Sequence, residues 1–168
     1  MKPVVRLATI ADTQIIAEIH REAFTRQTES ETWVRATLSA FPRMIPFVLV
    51  LDDQIAGYIF WSQKSGIRPA ATLELDQIAV ALRYQGQGFG EKLIRESLVL
   101  VVESLRSSGQ ILKSILVSTR ADNDAQRLYA KVLGAKVVAS IEGLYSATEV
   151  IMLANMTGGP TDSTSSPR

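Results

Sequence analysis

The chain contains no cysteine and a single histidine, His20, and these two scarcities remove several kinds of chemistry. Without cysteine there are no disulfides, no thiolate metal ligands and no acyl-cysteine intermediate. One histidine cannot form a His-rich metal site and leaves little for a Ser-His-Asp arrangement. His20 is expected to be a surface or core-edge side chain rather than a catalyst. The sequence therefore predicts neither a bound metal nor a covalent cysteine mechanism.

The chain also has little net charge and no long apolar run. Its 168 residues carry a formal net charge of +1, which leaves no basic field to attract nucleic acid. No apolar run approaches the ~20 residues of a membrane-spanning helix, and no signal-peptide core follows the first residues. We expect a cytoplasmic protein with neither nucleic acid nor a membrane as partner, and homodimerisation is left open. The length suits one domain with a substantial core.

The hydrophobic periodicity predicts an α+β domain over residues 1–156. Its central sheet is expected to be mixed but largely antiparallel, flanked by helices, with one parallel crossing near the middle. Residues 157–168 hold no large apolar side chain, which predicts a disordered tail. The predicted strands are 4–8, 47–51, 55–61, 71–80, 111–118, 136–141 and 149–153, and the predicted helices begin at residue 12 or 13 and cover 30–40, 88–105 and 123–133.

The most specific motif is the glycine-rich segment 85–90 (QGQGFG), which lies between an apolar strand and a strongly amphipathic helix. Backbone N–H groups at a helix N-terminus bind phosphate without side-chain charge, and glycine allows close approach and positive φ. A Walker loop is excluded because Glu91-Lys92-Leu93 follows the last glycine. A dinucleotide fingerprint is excluded because the third glycine comes one position early. The segment therefore predicts a different phosphate-bearing ligand.

This segment resembles the pyrophosphate loop of the GNAT acyltransferase superfamily, which has [Gln/Arg]-x-x-Gly-x-[Gly/Ala] after a strand. The resemblance extends from Val5 to about Leu153 and departs at Leu82, where proline is common. It implies a GNAT-like fold and acetyl-CoA as acyl donor, with no metal. The cofactor contacts that it implies are Ile78, Ala79, Val80, Gln85, Gly86, Gln87, Gly88, Phe89, Gly90, Asn123 and Arg127.

The activity implied by the resemblance is N-acetyl transfer. An acetyl group would move from acetyl-CoA to a primary amine of a small molecule or peptide, directly within a ternary complex. The alternative is a catalytically weak acyl-CoA-binding module that regulates a partner.

Two carboxylates, Glu74 and Asp76, lie in the strand before the loop. By the period of two, they are expected to share a face with Ile78 and Val80. An amine whose pKa is near ~10.4 must lose a proton before it attacks, so a general base is required. The resemblance implies a base near Glu74 in some members. We rank Glu74 first and Asp76 second, and a pair of solvent-facing carboxylates is the alternative.

The proton donor depends on how the last helix is matched to the family pattern Asn-x-x-Ala-x-x-Leu-Tyr-x-x-x-Gly. Matching the Leu-Tyr pair makes Tyr129 the donor, puts Asp122 in the asparagine position and leaves an extra residue before Gly134. Matching Asn123 and Gly134 instead puts Ala130 in the tyrosine position, so that water would serve. We prefer Tyr129 because Leu-Tyr is the more distinctive pair, and a core aromatic is the alternative.

Overall fold

The computed structural model describes residues 2–156, which form a seven-stranded sheet flanked by four α-helices. The strands are β1 Val4–Leu7, β2 Met44–Leu51, β3 Gln54–Lys64, β4 Ala70–Val80, β5 Ile111–Arg120, β6 Lys136–Ile141 and β7 Glu149–Asn155. The helices are α1 Thr13–Ala23, α2 Ser30–Leu38, α3 Phe89–Ser107 and α4 Ala125–Leu133. Within this part of the chain, no helix combines the length and apolar character needed to cross a membrane.

The strands lie in the order β1-β2-β3-β4-β5-β7-β6. Neighbouring strands are antiparallel except β4 and β5, which are parallel and are connected through α3. A parallel pair needs a long crossover of this kind, because a tight turn reverses the chain and makes the two strands antiparallel. The predicted fold class, including its single parallel crossing, is confirmed. The predicted tail, 157–168, lies outside the described residues.

The sheet buries a separate apolar core on each of its faces. On one face, α3 and α4 cover a cluster that includes Trp61, Leu75 and Leu93. On the other face, α1 and α2 cover a smaller cluster that includes Ile16 and Tyr58. Each fully buried side chain of this size contributes about 1.5–3 kcal/mol of transfer free energy. The two faces therefore fix the helices independently on either side of β3 and β4.

A β-bulge in β4 changes which side chains share a face. Phe60 of β3 pairs with Gln77 and Trp61 pairs with Leu75, so Asp76 is the extra residue. A bulge shifts the alternation by one position. The side chain of Glu74, opposite Ser62, therefore faces the α1/α2 side, whereas Ile78 packs against the α3/α4 core. The expectation that Glu74 shares a face with Ile78 and Val80 is wrong.

Candidate active site

A cleft opens where β4 and β5 separate. The two strands pair only from Ala70 with Ile111 to Glu74 with Leu116, and β4 then stays with β3 while β5 stays with β7. The cleft holds a cavity of about 540 Å³. We call its two ends the loop end, made by residues 85, 86 and 88–90 at the start of α3, and the side-chain end, made by Asp76, Gln77 and Phe24.

At the loop end, a run of backbone N–H groups has no hydrogen-bond partner in the described chain. Gly86 and Gly88 have φ values of +74° and +80°, a conformation that glycine adopts without strain. Within residues 2–156, the backbone N–H groups of residues 86–91 have no recorded hydrogen bond, and the first bond of α3 runs from Lys92 to Gly88 at 3.1 Å. Unpaired N–H groups at a helix N-terminus form a site for an anion.

The floor of the cleft is the free edge of β4. The N–H of Ala81 donates to the carbonyl of Ala56 on β3 at 2.9 Å. Because successive residues of a strand direct their N–H and C=O groups to opposite sides, Ile78 and Val80 direct theirs into the opening. The Val80 carbonyl accepts a hydrogen bond from Nε2 of Gln85 at 3.0 Å. The Gln85 side chain thus closes the turn, and the backbone of Ile78 is left for a ligand.

Asp76 projects from the bulge and lines the side-chain end. Although the residue is accessible to solvent, enclosure by the protein around it raises the pKa of its carboxyl group, and the charge of Glu74 raises that pKa further. The positive charges of Lys64 and Arg43 act in the opposite direction. No hydrogen bond to the Asp76 carboxylate is recorded from residues 2–156. A carboxylate with a raised pKa and an open position beside it is suited to accept a proton.

Glu74 lies near the cleft but is already engaged by two partners. Its Oε2 is 2.6 Å from Nζ of Lys64, and its Oε1 accepts a hydrogen bond from Ser118 Oγ at 3.2 Å. Its side chain is only 14% exposed and does not line the cavity. These contacts tie β3, β4 and β5 together at the point where the cleft begins.

Tyr129 of α4 lines the cleft from the α3/α4 side and is buried. Burial raises the pKa of its hydroxyl to about 12, so the phenol stays protonated at neutral pH. Its hydroxyl has no hydrogen-bond partner recorded among residues 2–156. Ala130 is exposed and does not line the cavity. Of the two possible matches for α4, this geometry favours the one that uses Tyr129.

Asn123 lines the cleft and also holds the start of α4. Its Nδ2 donates to Oγ1 of Thr119 at 2.9 Å, and its Oδ1 accepts from the N–H of Ala125 at 2.9 Å. The second contact is an Asx turn that closes the chain just before the N-cap residue, Asp124. One N–H of the Asn123 amide and its oxygen are therefore already engaged within the protein.

The resemblance also implied cofactor contacts for Ala79, Gln87 and Arg127, and these three residues lie at the edge of the cavity or outside its lining. Ala79 turns its carbonyl toward β3, and its methyl group packs in the α1/α2 core at the edge of the cavity. Gln87 is exposed, and its side chain donates to the Arg83 carbonyl at 3.4 Å. Arg127 is 89% exposed beside Asp124. Gln87 and Arg127 do not line the cavity.

The side-chain end includes polar residues that the sequence did not single out. Gln77 lines the cavity next to Asp76, and its amide contacts His20 and Tyr58, both fully buried. His20 was expected at the surface or the core edge, and its complete burial corrects that expectation. The position of His20 on the apolar face of a predicted helix could have indicated its burial. No sequence pattern indicates its contact with a glutamine on β4. Among residues 2–156, no group of His, Asp or Glu side chains could hold a metal ion.

Comparison with known proteins agrees with this geometry. The family model described as the acetyltransferase (GNAT) family matches residues 13–135. Among the curated proteins, no sequence matches the chain significantly.

Solved structures with the same fold include enzymes with very different acceptors. The ribosomal-protein-S18-alanine N-acetyltransferase of Escherichia coli is 17% identical with a TM-score of 0.76, covering 96% of this chain and 98% of its own. Arabidopsis thaliana NAA60 with a bisubstrate analogue is 17% identical with a TM-score of 0.75, covering 94% and 100%. An aminoglycoside 6'-N-acetyltransferase with coenzyme A is 15% identical with a TM-score of 0.73, covering 94% and 99%.

The sequence match covers most of the chain and includes the loop, the bulged strand and the tyrosine helix that together form the cleft. The chain therefore belongs to the GNAT family of acyl-CoA-dependent N-acetyltransferases.

Proposed function

We propose that this protein transfers an acetyl group from acetyl-CoA to a primary amine by direct attack within a ternary complex. The observation that carries the proposal is that one cleft holds unpaired N–H groups, the Asp76 carboxylate and the Tyr129 hydroxyl. In the reaction, the amine nitrogen forms a bond to the thioester carbonyl carbon and the carbon–sulfur bond breaks. The amine loses a proton to a base, and the departing sulfur gains one. The absence of cysteine from the chain is consistent with direct attack.

The loop end fits the pyrophosphate of acetyl-CoA. Its N–H groups and the positive end of the α3 dipole favour two adjacent negative charges, and no Cβ stands at Gly86 or Gly88 to obstruct them. The backbone of Ile78 on the free edge of β4 would hold the pantetheine amides. The N–H group of Ile78 would stabilise the negative charge that develops on the thioester carbonyl oxygen during the attack. Acetyl-CoA itself supplies the activated acyl group.

We assign the general base to Asp76 rather than to Glu74. The preference for Glu74 depended on the resemblance and on a shared strand face, and the bulge removes the second of these arguments. Glu74 does not line the cavity, and its carboxylate is already paired with Lys64 and hydrogen-bonded by Ser118. Asp76 lines the cavity, has a raised pKa and has no recorded donor from the described chain.

We assign the group that stabilises the departing sulfur to Tyr129. A phenol with a pKa of about 12 is protonated at neutral pH and can donate a hydrogen bond to the sulfur as it becomes negative. A cysteine-like thiol has a pKa of roughly 8.5, so complete proton transfer from this phenol would be uphill. The contribution of Tyr129 is therefore mainly a hydrogen bond made in the transition state.

The decisive experiment is steady-state release of free thiol from acetyl-CoA with a panel of primary amines, together with acetyl-CoA binding measured by calorimetry. Amine-dependent turnover with acetyl-CoA supports the transferase. Tight binding with no turnover for any amine would instead support the acyl-CoA-binding module. A cytoplasmic location and a homodimer stay predictions from the sequence.

A further inference from the structure

A chain of side-chain hydrogen bonds runs from the side-chain end of the cleft into the α1/α2 core. The Tyr58 hydroxyl donates to Oε1 of Gln77 at 3.3 Å, and Nε2 of Gln77 lies 3.4 Å from Nε2 of His20. Nδ1 of His20 lies 3.0 Å from Oγ of Ser30. The four residues come from β3, β4, α1 and α2, so the chain connects every element around this end of the cleft.

The Gln77 amide is placed with its nitrogen toward His20 and its oxygen toward Tyr58, and this placement sets the direction of the hydrogen bonds along the chain. Because the Gln77 amide nitrogen can only donate, Nε2 of His20 must be the unprotonated nitrogen. The His20 proton then lies on Nδ1 and is donated to Ser30. Burial lowers the pKa of His20, and the charge of Arg21 lowers it further, while a hydrogen bond that the imidazole donates to Gln27 acts in the opposite direction. The neutral imidazole that the chain requires is thus the favoured form.

This arrangement leaves one donor of Gln77 unused. An amide nitrogen carries two N–H groups, and His20 takes one of them. Gln77 lines the cavity and is adjacent to Asp76, so the second N–H is available to a ligand at the side-chain end. Phe24 also lines the cavity, and its ring lies 5.0 Å from the imidazole of His20. His20 therefore supports both the polar and the aromatic wall.

We propose that Gln77 determines acceptor specificity by donating its second N–H to an oxygen of the acceptor, and that His20 and Tyr58 are positioning residues that hold its amide in one orientation. This inference rests on the proposed function, with Asp76 taking the proton from the amine. An amine whose amine-bearing carbon is attached to a carbonyl group, as in an α-amino amide, would reach both the Asp76 carboxylate and the Gln77 donor. A simple alkylamine would leave the Gln77 donor unpaired.

The positioning role follows from what a rotated amide would present. If the Gln77 amide turned over, its oxygen would replace its nitrogen and would repel the carbonyl of the acceptor. With its proton on Nδ1, His20 opposes this rotation, because the turned amide would set its oxygen against a ring nitrogen that carries no proton. Tyr58 holds the end of the amide in place by donating to Oε1, but a hydroxyl also accepts hydrogen bonds, so the choice between the two amide orientations depends on His20.

The hydrogen-bond chain is tested first by the ¹⁵N NMR signal of the imidazole, which is unambiguous because His20 is the only histidine. We expect the neutral Nδ1-protonated tautomer from pH 7 to pH 8, and a pKa below the ordinary value. In Gln77→Leu, the tautomer preference should be lost or weakened. A wild-type imidazole protonated on Nε2, or one that titrates at the ordinary value near ~6.5, would overturn the inference.

Specificity is tested with glycinamide and propylamine as acceptors. One neutral hydrogen bond changes a binding preference by about 3- to 10-fold. We expect Gln77→Leu to reduce the glycinamide-to-propylamine ratio of kcat/KM by that factor, mainly through the KM for glycinamide. Because the ratio is compared between variants, the difference in amine pKa cancels. An unchanged ratio in an active Gln77→Leu protein would refute this role while leaving the transferase assignment intact.

The positioning residues are tested by a double-mutant cycle. His20→Phe keeps a ring against Phe24 but removes both hydrogen bonds, and it should lower the ratio as Gln77→Leu does. The double variant should be no worse than either single variant, whereas additive losses would show independent roles. Tyr58→Phe is the milder variant should His20→Phe fail to fold. Ser97→Ala is the matched control, since it removes a buried hydrogen bond from Trp61 (2.9 Å) on the other face of the sheet.

Wild-type protein that turns over no amine at all would refute the proposed function and this inference together. Turnover with an unaltered preference in Gln77→Leu refutes the inference alone.

Discussion

At the loop end of the cleft the groups that face a ligand are backbone N–H groups, whereas at the side-chain end they belong to Asp76, Gln77 and Phe24. The loop end comes from one continuous segment and the helix that follows it. The side-chain end is assembled from α1 and from β4, supported by β3 and α2. The first end depends on local backbone conformation and the second on tertiary packing.

This difference separates what is general in the site from what is specific to this chain. A backbone cradle binds any ligand with the right phosphates, and its sequence requirement is a few glycines. A side-chain wall can distinguish one amine from another, because each polar atom must be matched by the acceptor. We therefore expect variants at the loop end to affect acetyl-CoA binding and variants at the side-chain end to affect the rate and the choice of amine.

The largest expected effect is at the side-chain end. Asp76→Asn keeps the shape of the side chain but removes the base, so kcat should fall by roughly 10²–10⁴ with unchanged acetyl-CoA affinity. Glu74→Gln is the matched control and should cost less than about 10-fold, since its role is to hold Lys64 and Ser118. Steady-state kinetics with saturating amine measures both. The reverse order of effects would return the base to Glu74.

The next largest effect is expected at the loop end, where Gly88→Val should weaken acetyl-CoA binding. The substitution forces a branched side chain into a backbone at φ +80° and places it where the phosphates approach, so the Kd for acetyl-CoA should rise by about 100-fold or more. Gly109→Val at the other end of α3 is the control, because Gly109 has φ +73° and equally open surroundings. It carries the same backbone strain and should leave binding intact. Equal losses in both variants would show that strain, and not access, explains the effect.

A smaller effect is expected from Tyr129→Phe, at the residue that lines the cleft from the α3/α4 side. Loss of a hydrogen bond made only in the transition state should lower kcat by about 10- to 100-fold with little change in acetyl-CoA affinity. Since the pKa of Tyr129 is about 12, the wild-type rate should show no decline from phenol ionisation up to pH 10. A wild-type kcat in Tyr129→Phe would make the residue a core aromatic and assign protonation of the sulfur to water.

The smallest expected effect concerns stability. Because the folded-state pKa of Asp76 is raised above its unfolded value, its ionised form is less favourable in the folded protein, and wild-type stability should increase as pH falls through the folded pKa. Asp76→Asn has no charge to lose, so it should raise Tm slightly at pH 7, and this gain should vanish at acidic pH. Thermal unfolding followed by circular dichroism measures it. A lower Tm at pH 7 would contradict the electrostatic explanation.

Most of the fold was predictable because periodicity reports burial directly. The strong apolar stripe of α3 and the continuous apolar strands β3 and β4 gave correct element types, with bounds that differ by a few residues at their ends. The bulge at Asp76 was not predictable, because an extra residue in a strand changes the register without changing the pattern of residue types. It reversed the preference between the two carboxylates.

The sequence by itself determined the glycine loop, the helix that follows it and the family to which they belong, because these depend on backbone conformation within a few residues. It also limited the proton donor to Tyr129 or water. Only the tertiary structure decided that Asp76 and not Glu74 lines the cavity, and that His20 is buried against Gln77. Those contacts join residues 57 positions apart in the sequence. Their geometry follows from how β4 packs between β3 and α1, which no local pattern records.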